Sequence, residues 1–161
     1  MVVGLRPIEE ADQPFLERVY ASTRAEELAL VDWSDEQTQA FVAMQFAAQS
    51  AHYAQHYTGM SADVVLVDGE PAGRLLVARW PREIRIVDIS LLPEHRGGGA
   101  GTVLLRDVLA EGDRDGRPVT IHVERGNRAR ELYERLGFAE IGDAGAHALL
   151  ERPPRHVKTA S

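Results

Sequence analysis

Cysteine is absent from the 161 residues, which excludes disulfides, thiolate metal sites and any covalent intermediate carried on a cysteine. Aromatic residues are scarce at 6%, while the hydrophobic set reaches 44%; at this length that fills one well-buried domain and falls short of two. No run of about eighteen apolar residues occurs. The N-terminal Met-Val-Val-Gly-Leu-Arg-Pro-Ile-Glu-Glu acquires acids at once instead of building an apolar core. The expectation is a soluble, cytoplasmic protein with no membrane partner. A basic run is missing as well: 18 Lys and Arg stand against 25 Asp and Glu, a net charge of −7, which suits nucleic acid poorly.

The acids are unevenly placed. Residues 1 to 70 hold twelve of them against Arg6, Arg18 and Arg24, whereas the other thirteen acids share the rest of the chain with fifteen bases. That division offers separate favourable potentials to a cation and to an anion. An acidic surface that merely keeps the chain in solution gives the same count.

Hydrophobic periodicity predicts a short strand at residues 2–6 and helices over 8–30 and 35–56, the first with a stripe of Phe15, Leu16, Val19 and Tyr20, the second with Phe41, Met44, Ala48 and Ala51. Ser34 or Asp35 caps the second. Strands follow at 62–67 and 74–80 around the turn Asp68-Gly69-Glu70-Pro71, then at 83–91, 119–123, 138–141 and 146–150, with helices after Gly101 and over 129–136. No repeat or linker interrupts residues 1–152, expected to form a single domain. Pro153-Pro154 ends regular structure, and residues 153–161 are expected to be a mobile tail.

The most informative stretch is residues 87–101, Val-Asp-Ile-Ser-Leu-Leu-Pro-Glu-His-Arg-Gly-Gly-Gly-Ala-Gly: an apolar strand, a proline, a basic residue and a glycine-rich bend that opens a helix. Exposed amides at such a helix start carry partial positive charge and hold phosphate or diphosphate. The nucleotide P-loop fails here because no Lys-Ser or Lys-Thr follows the glycines. The dinucleotide fingerprint fits at Gly99 and Gly101 but meets Leu104 where its third glycine belongs. The hexad Arg96-Gly97-Gly98-Gly99-Ala100-Gly101 does fit Arg-x-x-Gly-x-Gly. A second segment, residues 119–138, reads Val-Thr-Ile-His-Val-Glu-Arg-Gly-Asn-Arg-Ala-Arg-Glu-Leu-Tyr-Glu-Arg-Leu-Gly-Phe. Together, in this order, the two segments resemble the acetyl-CoA signature and the second motif of the GCN5-related N-acetyltransferases, the GNAT family. The resemblance covers residues 60 to 150 well and the first sixty in general layout.

That resemblance implies an α/β GNAT fold: a mixed, mostly antiparallel sheet of about six to seven strands with four helices, its central strands splayed around acetyl-CoA. It implies transfer of an acetyl group from acetyl-CoA to a primary amine by direct attack in a ternary complex, with no metal. Its N-terminal helices wall the acceptor side. The pantetheine arm of the cofactor adds beside Ile89, Ser90 and Leu91, main chain to main chain, with an N–H near Leu91 or Leu92 meeting the acyl oxygen, and Asn127 also contacts that arm in the family. Asn127 stands six positions before Tyr133 here, against seven in many members. The diphosphate lies over Arg96, Gly97, Gly98, Gly99, Ala100, Gly101 and Thr102, where glycines permit positive φ and close approach. Arg128 and Arg130 are within the second motif as candidates for the outer phosphate.

Chemistry then needs an acid and a base. Tyr133 is the acid: a phenol with a reference pKa of about 10 stays protonated at neutral pH and can protonate a leaving thiolate; the bland alternative is a helix tyrosine packed under Phe138. Two base candidates stay open. Asp88 faces away from the apolar set Val87, Ile89 and Leu91 on the central strand, and burial would raise its pKa. His122, between Ile121 and Val123, starts closer to neutrality. Glu124 and His147 are further options, and His95 is expected to be exposed. On the second long helix Gln45, Gln49, His52 and His56 share one polar side at spacings of three and four, expected to face either the acceptor or solvent. Small amines, polyamines, amino sugars and peptide α-amines all fit as acceptors. Two other functions fit the same residues: a CoA-binding sensor without turnover, and an adaptor that binds cationic peptides through the acidic half. Homodimerisation is common among the relatives, and nothing in this chain fixes it.

Overall fold

The computed structural model of the protein describes residues 1–156; the remainder of the predicted tail, 157–161, lies outside the described residues. Seven strands form one mixed, mostly antiparallel sheet in the order β1-β2-β3-β4-β5-β7-β6, with five helices. In chain order these are β1 (Val3–Pro7), α1 (Gln13–Thr23), α2 (Ala25–Leu28), α3 (Asp35–His56), β2 (Ser61–Val67), β3 (Glu70–Arg79), β4 (Ile84–Leu91), α4 (Ala100–Asp115), β5 (Val119–Glu124), α5 (Arg130–Arg135), β6 (Ala139–Ala144) and β7 (His147–Arg152). The fifth helix beyond the four implied is α2, a single turn. The described residues pack as two compact units, residues 1–76 with 88–98, and residues 77–87 with 99–156.

In the first unit β1 pairs antiparallel with β2, from Val3 opposite Val67 to Pro7 opposite Asp63. Helix α3 keeps its predicted bounds because Ser34 is its N-cap: the Ser34 hydroxyl accepts from the Gln37 N–H at 3.1 Å, and the Gln37 side chain accepts from the Ser34 N–H at 2.9 Å. The single helix expected over 8–30 is broken. Asp12 bonds the Glu9 N–H at 2.7 Å and a 3-10 turn precedes α1, while Arg24 leaves helical geometry at φ −109° and splits α1 from α2. Leu16 and Tyr20 of α1 bury against Val42 and Phe46 of α3, the Tyr20 and Phe46 rings 5.9 Å apart.

In the second unit the start of β4 runs parallel to β5, Ile84 opposite Val119 through Ile86 opposite Ile121, and α4 makes the crossover between them. Leu104, Leu105, Val108 and Leu109 give α4 its buried stripe. Strand β7 closes antiparallel on β5 and on β6, with a bulge between Glu140 and Gly142. At the end of β7 the buried Arg152 pairs with Asp113, and just past the strand the Arg155 N–H donates to the same carboxylate at 2.7 Å. Among the described residues no helix is long and apolar enough to cross a membrane.

Candidate active site

Strand β4 supplies the first piece. Its ladder with β5 stops at Ile86, although β4 itself continues to Leu91. Successive main-chain N–H groups of a strand point to opposite edges. The Leu92 N–H donates to the Ala72 carbonyl at 2.8 Å. This takes up Leu92, one of the two amides expected near the acyl oxygen. Gly73 is what lets the two strands meet so closely here. A Cβ built on it would lie 2.0 Å from the Ser90 carbonyl oxygen and 2.9 Å from the Leu91 Cα.

The side chains of β4 differ from the sequence reading. Val87, Ile89 and Leu91 are half-buried rather than an inward core face; the fully buried positions are Ile84 and Ile86, on the same face as Asp88 and Ser90. Apolar alternation alone cannot tell the core face when both parities carry aliphatics. Asp88 has a partner that the sequence did not disclose. Arg74 Nε donates to Asp88 Oδ2 at 2.7 Å, the Arg74 guanidinium forms an ion pair with the same oxygen, and Ser90 Oγ donates to Oδ1 at 2.9 Å. Arg74 Nη2 also donates to Gln49 Oε1 at 2.9 Å, and its guanidinium carbon sits 5.6 Å from the Phe46 ring centroid. Tyr53 stands near this pair: burial first, and then the Asp88 charge, push its phenol up to about 12.

The polar side foreseen on α3 therefore divides. Gln45, Gln49 and Tyr53 are half-buried, whereas His52 and His56 are exposed and stacked on each other with ring centroids 4.1 Å apart. A shift of one residue in helical phase separates the two sets, too small a difference for the pattern to resolve.

The glycine bend has the geometry of an anion seat. Gly97 and Gly99 take φ of 78° and 94°, and a Cβ on Gly97 or Gly98 would meet nothing within 4 Å, so the main chain there is bare. Helix α4 begins at Ala100 rather than after Gly101, with Gly99 as N-cap and no side chain capping it. The amides of Ala100, Gly101 and Thr102 are consequently the unpartnered N–H groups at the start of a 16-residue helix whose first turn holds no acid. Arg96 organises the bend: its Nε donates to the Leu91 carbonyl at 2.9 Å and its Nη2 to Ser22 Oγ at 3.3 Å. His95, expected to be exposed, is half-buried at the end of a 3-10 turn.

The second unit holds Tyr133, His122 and Asn127. Tyr133 is buried and meets Phe138 edge-on at 5.7 Å. Asn127 Oδ1 accepts from the Ala129 N–H at 2.8 Å and so shapes the turn that opens α5. Arg130 is paired with Glu134 and Glu140, which raise its pKa. His122 belongs to a network centred on Arg85, a buried residue that the sequence reading passed over. Arg85 Nε donates to Thr120 Oγ1 at 2.7 Å, Thr120 Oγ1 donates to Glu83 at 2.6 Å, and the Arg85 guanidinium lies over the Trp80 ring at 5.2 Å. Arg85 Nη1 stands 3.4 Å from His122 Nδ1. A guanidinium can only donate, so Nδ1 accepts and the neutral ring carries its proton on Nε2. Partial burial and then the Arg85 charge hold the His122 pKa below its ordinary value. Glu124 and His147 lie 3.9 Å apart. Among the described residues no group of three or more His, Cys, Asp or Glu is placed to hold a metal ion.

Known proteins repeat this architecture. The structure of PaiA N-acetyltransferase from Thermoplasma acidophilum, solved in complex with coenzyme A, superposes with a TM-score of 0.71 over 95% of this chain and 99% of that one at 16% identity. An acetyltransferase from Thermus thermophilus gives 0.69 over 95% and 97% at 21% identity. In sequence, a GCN5-like protein acetyltransferase of Mycobacterium tuberculosis is 36% identical over 89 residues, a match that spans 49% of this chain and 43% of that relative. The model of the acetyltransferase (GNAT) family matches residues 13–138, most of the chain, and the protein belongs to that family.

Proposed function

We propose that the protein is an N-acetyltransferase that moves an acetyl group from acetyl-CoA to a primary amine, with residues 1–152 acting as one domain. The observation that carries this reading is the uncapped start of α4 behind two left-handed glycines, a seat of bare amides suited to the diphosphate of CoA. The thioester supplies an activated acyl carbon. Overall, the carbon–sulfur bond breaks, a carbon–nitrogen bond forms, and an ammonium acceptor gives up two protons, one to the thiolate sulfur and one to solvent.

In this reading the amides of Gly97 to Thr102 hold the diphosphate, and the β4 edge at Ile89, Ser90 and Leu91 bonds the pantetheine arm. That edge suits the arm because the β5 ladder ends at Ile86. The Leu91 N–H donates to the acyl oxygen as it gains charge. Tyr133 donates the proton that the sulfur needs. Asp88 receives the acceptor ammonium and its proton. His122 stays outside the proton path, since its one lone pair faces Arg85. Asn127 shapes the α5 turn through Oδ1 and offers its side-chain N–H donors to the pantetheine arm.

Incubation with acetyl-CoA and a panel of primary amines, read by product mass, tests the activity. One or more N-acetylated amines and stoichiometric free thiol are expected; acetyl-CoA binding with no acetylated product from any amine would leave a sensor instead. Thermal shift separates the adaptor, because acetyl-CoA and CoA should both stabilise the enzyme and ATP should not. Tyr133→Phe should lower kcat far more than it weakens acetyl-CoA binding, and an undiminished rate would take Tyr133 out of the mechanism.

A further inference from the structure

Two carboxylate oxygens are normally free to rotate, and those of Asp88 are not. Oδ2 accepts from Arg74 Nε at 2.7 Å and Oδ1 accepts from Ser90 Oγ at 2.9 Å. Arg74 is itself held from another element: α3 places Gln49 Oε1 2.9 Å from its Nη2 and the Phe46 ring beneath its guanidinium. The side chains of Arg74 and Asp88 are 7% and 18% exposed, so the contact operates with little solvent screening. Oδ2 is taken up by Nε and Nη2 of Arg74, while Oδ1 keeps a second lone pair, enough to accept one further N–H.

Building on the acetyltransferase reading, we propose that Arg74 is the positioning residue for Asp88, holding its carboxylate aimed at the acceptor ammonium, with Gln49 and Phe46 of α3 fixing the guanidinium. Arg74 touches neither the thioester nor the amine in this assignment. It links the helix proposed to wall the acceptor with the group that takes the acceptor's proton, so changes on α3 reach the chemistry through it. The charged or titratable groups that face Asp88 are Arg74 from β3 and Tyr53 from α3, and the Tyr53 phenol is neutral far above physiological pH.

Carboxyl-carbon NMR of the full chain at constant pH tests this without relying on turnover, with Asp88→Asn identifying the Asp88 resonance. The hydrogen bonds that a carboxylate accepts set the shielding of its carbon. In Arg74→Met the Asp88 resonance should therefore shift, and Arg74→Lys should restore most of that change. Where Arg74→Met fails to fold, Gln49→Leu replaces it: the guanidinium keeps its charge but loses its clamp, and a smaller change is expected. In steady state, Arg74→Met should lower kcat/KM for the amine at least tenfold while KM for acetyl-CoA stays unchanged, with partial rescue by Arg74→Lys. An Asp88 resonance indifferent to both Arg74→Met and Gln49→Leu overturns the assignment, as does a loss that falls equally on acetyl-CoA and amine. If the wild-type chain acetylates no amine, the enzyme reading fails, and the NMR comparison still decides whether Arg74 holds Asp88.

Discussion

Arg74 and Arg85 are both buried arginines on the central strands, and each binds one of the two residues that the sequence offers as a catalytic base, yet they leave different atoms open on their partners. In the first unit Arg74 meets a carboxylate through Oδ2, and Oδ1, which accepts from Ser90, keeps a second lone pair. In the second, Arg85 faces Nδ1 of an imidazole, the one lone pair that the neutral ring has, and its charge disfavours the protonated ring. In the function proposed above, the same kind of side chain therefore serves chemistry in one cluster and the fold in the other, and the partner decides which.

The largest expected effect separates the two bases. Asp88→Asn should reduce kcat/KM for the amine by about a hundredfold or more, the usual scale for a lost general base, whereas His122→Gln should leave it essentially unchanged; the reverse ranking, in the same steady-state assay, would invert the comparison.

Next come two glycines that admit a neighbouring backbone, one in each unit. A Cβ at Gly73 would lie 2.0 Å from Ser90 O, and one at Gly112 would lie 2.7 Å from Arg117 O. Gly73→Ala and Gly112→Ala should each cost about 1–3 kcal/mol in chemical denaturation. Only Gly73→Ala should also slow turnover, by about tenfold or more, because it displaces the main chain at Ser90 and Leu91.

Removal of Arg85 is a test of fold rather than rate. Arg85→Met removes the donor to Thr120 and the cation beside Glu83, and should lower unfolding free energy by about 1–3 kcal/mol with kcat kept. The smallest effect is in pH. His122 has a lowered pKa in the folded chain, so the folded state binds fewer protons than the unfolded one, and stability falls as pH drops through the ordinary histidine value of 6.5 toward the folded value. His122→Gln should show a shallower loss of Tm between about pH 7 and 5.

Local signals in the sequence carried much of this. Ser34 with Gln37 three positions on fixes the start of α3, and the glycine bend announces both the turn and the helix that follows it. The strands of the sheet fall within a few residues of the hydrophobic pattern. What escaped the sequence is long-range. Arg74 and Asp88 lie on different strands, and nothing in either neighbourhood names the other; Arg85 reads as one more strand residue until Thr120 and His122 are brought beside it. Leu92 could not be told from Leu91 as an amide donor before its bond to Ala72 was seen. A charged residue inside an apolar strand run is the signal that could have pointed to both arginines, since burial of such a group requires a partner.

The division of labour proposed for the two arginines is tested most directly by kcat/KM for the amine, measured side by side in wild type, Arg74→Met and Arg85→Met. It should fall at least tenfold when Arg74 is lost and stay in place when Arg85 is lost. A value that falls with Arg85 and ignores Arg74 would contradict the assignment of Asp88.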